Sequence, residues 1–141
     1  MNRPQKQHLM RLRVALIGFS VVVAGFAWLA ATANPTGRYA ANNVAPAAAA
    51  WVLLVWILMR QPESPRWWLG WVGFLVPALG LSGYVHLAFL NDWRGIASAA
   101  VTPELLFFFL PIYAAVAGGI GFAIGWIVGR AVAEHGRVRQ R

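Results

Sequence analysis

The sequence predicts an all-α integral membrane protein: a bundle of four transmembrane helices with both termini in the cytoplasm. Three observations lead there. Of 141 residues, 60% are hydrophobic and 11% are charged, where an average soluble domain carries about 25% charged residues. The apolar residues gather into four runs, 14–33, 44–59, 67–90 and 105–129, each near the roughly 20 helical residues that cross a hydrocarbon core about 30 Å thick. The basic residues all lie at or beyond the ends of those runs. The whole chain, 1–141, therefore reads as a single four-span domain with short basic tails at 1–13 and 130–141.

The first run, "VALIGFSVVVAGFAWLAATA", follows a basic arm and ends before the turn signal Asn34-Pro35-Thr36-Gly37. A signal peptide would share the basic arm and the small-residue "ATA" at 31–33, but its apolar core is usually about 7–15 residues. An uncleaved anchor is the expectation. The second run starts from Asn43 as N-cap, with Pro46 tolerated in the first turn. The segment "RQPESPR", 60–66, is an exposed connection. The fourth run opens with Thr102 as N-cap, Pro103 at the first helical position and Glu104 complementing the helix dipole.

Charge sets the orientation. Arg3, Lys6, Arg11 and Arg13, then Arg60 and Arg66, then Arg130, Arg137, Arg139 and Arg141 lie on one side. Only Arg38 and Arg94 lie on the other. The positive-inside rule places the richer side, with both tails, in the cytoplasm of a bacterial-type inner membrane. Trp28 and Trp93 then fall near the outer interface, and Trp67, Trp68, Trp71 and Trp126 near the inner one, as an aromatic belt requires.

Small residues mark the packing surfaces. Gly121, Gly125 and Gly129 recur every fourth residue, with Ala114, Ala117 and Gly118 on the same side, forming a glycine-zipper ridge that lets backbones approach. Helix packing within the chain and contact with a partner both use such a ridge. In the third run Gly73 and Gly80 share a face with Pro77 and Tyr84, while Ser82 and His86 lie on the opposite face. A four-helix bundle has difficulty covering both faces, so one of them is expected to meet lipid or another subunit. Pro77 frees the Gly73 carbonyl and Pro111 frees the Phe107 carbonyl, because proline has no N–H to donate to the residue four before it.

The candidate functional groups are few. His86 lies about 11 Å beyond the midplane at 1.5 Å per residue, and an ionisable side chain within a span is a functional candidate by default. Ser82 is one turn away on the same face, and Asp92 and Glu104 belong to the same outer region, so the four are expected to form a small polar cluster.

Several chemistries are disfavoured. With no cysteine, disulfide and thiolate-metal chemistry are excluded. Only one histidine lies in a span, where a membrane haem usually takes two axial ligands. There is no HExxH or comparable metal cluster, and no GxSxG around Ser20 or Ser82. No catalytic residue, metal or cofactor is therefore expected, and the position of the basic residues argues against nucleic acid as a partner. The partners expected are the lipid bilayer and other membrane subunits or a second copy, with a small hydrophobic ligand as a further candidate. The leading functional reading is a non-enzymatic accessory, assembly or structural subunit of a larger membrane complex. A small transporter or channel, with an outer vestibule near His86, Asp92 and Glu104, is the alternative, although the four runs contain no Asp, Glu, Lys or Arg. A quinone- or lipid-binding protein, using the aromatic surface at 104–113, is the third.

Overall fold

The structure, a computed structural model, describes residues 3–33, 38–60, 64–99 and 102–138. Four long helices dominate: α1 (Arg3–Ala33), α2 (Ala40–Arg60), α3 (Pro65–Leu90) and α5 (Pro103–Val138). A 3₁₀ turn at Trp93–Gly95 and the short helix α4 (Ile96–Ala99) join α3 to α5. Each of the four long helices is long and apolar enough to cross a membrane, so the chain is a multi-pass, all-α membrane protein. The turn expected at Asn34–Gly37, the centre of the 60–66 connection, and Arg139 and Arg141 lie outside the described residues.

Three boundaries differ from the sequence expectation. α1 and α5 extend well into the basic tails, because a helix already nucleated in lipid propagates cheaply through good helix formers. In α5 that extension carries an Arg130–Glu134 ion pair of 3.0 Å, one turn apart. α2 begins at Ala40, so Asn43 is not its N-cap. The Asn43 backbone N–H already donates to Tyr39 O at 3.0 Å, which places this residue inside the first turn and leaves its side chain free for another purpose.

The organising contact is antiparallel packing of α5 on α3. Gly129 lies against Arg66, Gly125 against Leu69 and Gly70, Gly121 against Gly73 and Pro77, Gly118 against Phe74 and Ala78, and Phe107 against His86. As one number rises the other falls in step, so a single register holds over most of both helices. A Cβ at Gly121 would overlap the Gly73 carbonyl, and one at Gly73 would overlap the Gly121 carbonyl. A Cβ at Gly125 would overlap the Leu69 carbonyl. Only hydrogen fits there, and it brings Cα–H groups onto carbonyl oxygens, a contact that lipid chains cannot supply. The Gly73 carbonyl is the one that Pro77 deprives of its helical donor.

α3 is the central helix, in contact with α1, α2 and α5. Phe19, Ala50 and Leu54 form a core cluster with Trp68, Trp71, Phe74 and Leu75 packed on it. A second cluster, Ala33, Phe107 and Leu110, lies at the end of the bundle away from the basic tails, under Tyr39, Leu81, Val85 and Phe89. Arg66 sits 6.0 Å from the Trp67 ring and 5.9 Å from the Trp126 ring at the basic end, the level expected for a belt at the headgroups.

The two faces of α3 are covered unequally, since the face that carries Gly73 is open at Gly80 and exposed at Tyr84. Gly73 meets α5, while His86, on the other face, is fully buried between Phe26 of α1 and Phe107 of α5. A helix with neighbours on several sides has no single inward direction.

Candidate functional site

Several polar side chains in the spans join helices. Trp51 Nε1 donates to Ser20 Oγ at 3.2 Å, linking α2 to α1, and Ser20 Oγ donates back to Leu16 O at 2.8 Å. Trp71 Nε1 donates to Ala50 O at 2.9 Å, linking α3 to α2. The third link is the most informative. Asn43 Nδ2 donates to Tyr39 O at 2.8 Å and to Phe107 O at 3.0 Å. Phe107 O is the carbonyl freed by Pro111, so an amide from α2 replaces the backbone donor that α5 lacks.

These partners fix the amide. Both are carbonyls, which only accept, so the NH₂ group faces them and Oδ1 is left as an acceptor. Asn43 Oδ1 is buried and has no hydrogen-bond partner among the described residues.

His86 shows the same asymmetry. Its Nδ1–H donates to Ser82 O, one turn back, at 2.6 Å. In a neutral ring Nε2 then carries the lone pair. His86 Nε2 and Ser82 Oγ are buried without a partner among the described residues. The rings around His86 are Phe26, with centroids 5.8 Å apart and nearly perpendicular, and Phe107, with centroids 5.3 Å apart. Phe89 packs on Phe107 at 5.0 Å. Asn43, Ser82 and His86 are each 0% exposed, and leaving a buried acceptor unpaired costs about 1–3 kcal/mol. Three such atoms in the half of the bundle away from the basic tails are the chemically distinctive feature of the chain.

The expected four-residue cluster is not assembled. Ser82 and His86 stand together, but Asp92 is turned into its own loop. Asp92 Oδ1 accepts from the backbone N–H of Ala97 at 2.8 Å and of Ser98 at 3.1 Å, and Oδ2 accepts a short hydrogen bond from the Ser98 hydroxyl. The carboxylate thereby caps α4, the role acidic residues take at helix N-termini. Ser98, through its hydroxyl first and then its N–H, with Ala97 N–H, holds the Asp92 carboxyl below the usual carboxylate range. These bonds also offset the positive φ of Asp92 (46°) and Arg94 (59°) in the same loop. Glu104 occupies the first turn of α5, where it complements the dipole. No hydrogen bond or ion pair joins His86 to Asp92 or Glu104 among the described residues.

Gly73, Gly121, Gly125 and Gly129 are occupied by the α3–α5 packing, whereas a Cβ at Gly80 meets nothing within 4 Å among the described residues. The aromatic stretch 104–113 divides: Phe107 and Leu110 are buried, while Leu105, Phe108, Phe109, Ile112 and Tyr113 face outward. No group of His, Cys, Asp and Glu able to hold a metal occurs among the described residues.

Sequence reasoning missed Asn43 and Phe26. Asn43 carried one usable signal: an amide at the edge of an apolar span, in a chain where Pro111 leaves a carbonyl in need of a donor. Phe26 carried none, since nothing in α1 alone reveals which helix it faces. Comparison with protein-family models, with curated proteins and with solved structures gives no match for this chain.

Proposed function

We propose that this membrane protein is a non-catalytic accessory, assembly or structural subunit of a larger complex in a bacterial-type inner membrane, joined to its neighbours by contacts in the plane of the bilayer. One observation carries the reading: apart from Gly83, which has an ordinary contact with Phe26, the span glycines described sort into two sets. Gly70, Gly73, Gly118, Gly121, Gly125 and Gly129 each approach another part of the chain closely. Gly18 and Gly25 on α1, Gly80 on α3 and Gly119 on α5 meet nothing within 4 Å among the described residues.

A glycine inside a helix costs about 1 kcal/mol relative to alanine, and lipid offers no reason to place it there. A second helix does, because small residues let backbones come together. Gly18 and Gly25 are one heptad apart on an exposed face that also carries Val14, Val21 and Trp28, the spacing of a left-handed helix pair. α1 is also the least covered of the four spans, at 17% buried. On α5, Gly119 lies between the exposed Ala115 and Ala123, one turn to either side, facing away from α3.

The test is native mass measurement of gently extracted protein with leucine placed at each open glycine. Gly25→Leu or Gly119→Leu reduces association with a partner or second copy while leaving the melting temperature of the isolated chain unchanged or raised. A chain that is monomeric in its native bilayer, with or without these substitutions, contradicts the proposal.

A further inference from the structure

We infer that the half of the bundle away from the basic tails binds a membrane-soluble phenol or hydroquinone through a hydroxyl that donates to His86 Nε2, with Asn43 Oδ1 left as an acceptor for a second hydroxyl. The argument is one of hydrogen-bond complementarity. Each residue has already committed its N–H groups to backbone carbonyls: Nδ1 of His86 to Ser82 O, and Nδ2 of Asn43 to Tyr39 O and Phe107 O. What remains on each is a lone pair, buried and unpartnered. The four runs hold no Asp or Glu to stabilise an imidazolium, so the ring is neutral and Nε2 accepts. A ligand that pairs with either of these two atoms must donate. A quinone carbonyl or an ester cannot; a phenolic or hydroquinone hydroxyl can. Ser82 Oγ, also buried without a partner, is the one group of the three able to both donate and accept.

The apolar surroundings fit an aromatic ligand. Phe26 and Phe107 face the His86 ring from α1 and α5, and Phe89 extends the aromatic wall. Both residues touch Phe107, whose ring meets His86 and whose carbonyl meets Asn43. His86 is fully buried, so binding requires a cover to move, and Phe26 is placed to be that cover. It belongs to the least covered span and rests on α3 at Gly83, where a Cβ would lie 3.7 Å from its ring. Tilting α1 uncovers His86 toward lipid without disturbing the glycine packing of α3 and α5.

The experiment uses the full chain in lipid nanodiscs, with decylubiquinol under anaerobic reducing conditions and decylubiquinone as its oxidised counterpart. Native mass spectrometry is expected to show a one-to-one adduct favouring the reduced form by about tenfold, the worth of one buried hydrogen bond. His86→Leu abolishes that preference. Because this substitution also alters the core, a second measurement uses the wild-type site: nitrogen NMR of labelled histidine in a chain with His8→Gln and His135→Gln, leaving His86 alone. The Nε2 resonance shifts with decylubiquinol and stays with decylubiquinone. Equal adducts from both forms, no adduct from either, or an Nε2 resonance indifferent to the reduced form overturns the inference.

Discussion

Two carbonyls in the α3–α5 pair lose their helical donor to proline, and the molecule treats them differently. The Gly73 carbonyl, freed by Pro77, is met by the backbone of Gly121. The Phe107 carbonyl, freed by Pro111, is met by the side chain of Asn43 from a third helix. The difference follows from the residues around each. Where both helices present glycine, the backbones come close enough for a C–H group to serve. Where phenylalanine occupies the position, the backbones stay apart and an amide must reach across. One proline of the α3–α5 pair is therefore answered by close backbone packing and the other by a side-chain amide, while buried atoms without a hydrogen-bond partner among the described residues occur at Asn43, Ser82 and His86 and also at Trp67 Nε1 near the basic end.

Substitutions can break this comparison, and the largest effect belongs to the glycine end. Gly121→Leu places a side chain where the Gly73 carbonyl stands and is expected to cost about 3 kcal/mol or more in reversible unfolding in mixed micelles. Gly80→Leu, at an open position of the neighbouring helix, is expected to be neutral or slightly stabilising for the isolated chain. Equal losses from the two would mean that the glycine packing is not what holds α3 to α5.

At the polar end, Asn43→Leu leaves the Phe107 carbonyl without a donor and is expected to cost about 1–3 kcal/mol. Pro111→Ala restores an N–H to that carbonyl from within α5. The double variant should therefore recover about 1 kcal/mol relative to the sum of the single effects. Strict additivity would show that Asn43 does not substitute for the missing backbone donor.

Smaller effects are expected outside the spans. Asp92→Ala removes the acceptor for Ala97 and Ser98, and faster amide hydrogen exchange at those two residues reports it. Because the Asp92 carboxyl is held below its ordinary range, its contribution is complete above the unfolded value and is lost as pH falls through the lowered one. Protection at Ala97 and Ser98 should accordingly fade on acidification in the wild-type chain and be absent at every pH in Asp92→Ala. The Arg130–Glu134 pair, with both side chains more than 60% exposed, is the weakest case: Glu134→Gln should shift stability by no more than about 0.5 kcal/mol, less at high salt.

Much of the architecture is legible in the sequence, since run length, charge position and proline placement are local properties that bilayer physics reads directly. The carbonyls of Gly73 and Phe107 are identifiable as orphans from Pro77 and Pro111 alone. What answers each orphan is not, because that depends on which helix stands opposite. Gly119 and Gly121 are two residues apart and equally small, yet one faces open space and the other the α3 backbone. The same limit explains Asp92: proximity to His86 along the chain pointed to a shared cluster, whereas the positive φ values of the loop turn its carboxylate toward Ala97 and Ser98.

The central claim is that α5 lies antiparallel on α3 within one chain, and the absence of native cysteine allows a clean test. A Cβ at Gly118 would stand 3.0 Å from the Cβ of Ala78, so Ala78→Cys with Gly118→Cys should close a disulfide on mild oxidation, giving an intramolecular, still single-chain product that is lighter by two hydrogens and of altered mobility. Cross-linking that joins only separate chains, or two thiols that remain freely alkylatable after oxidation, would contradict it.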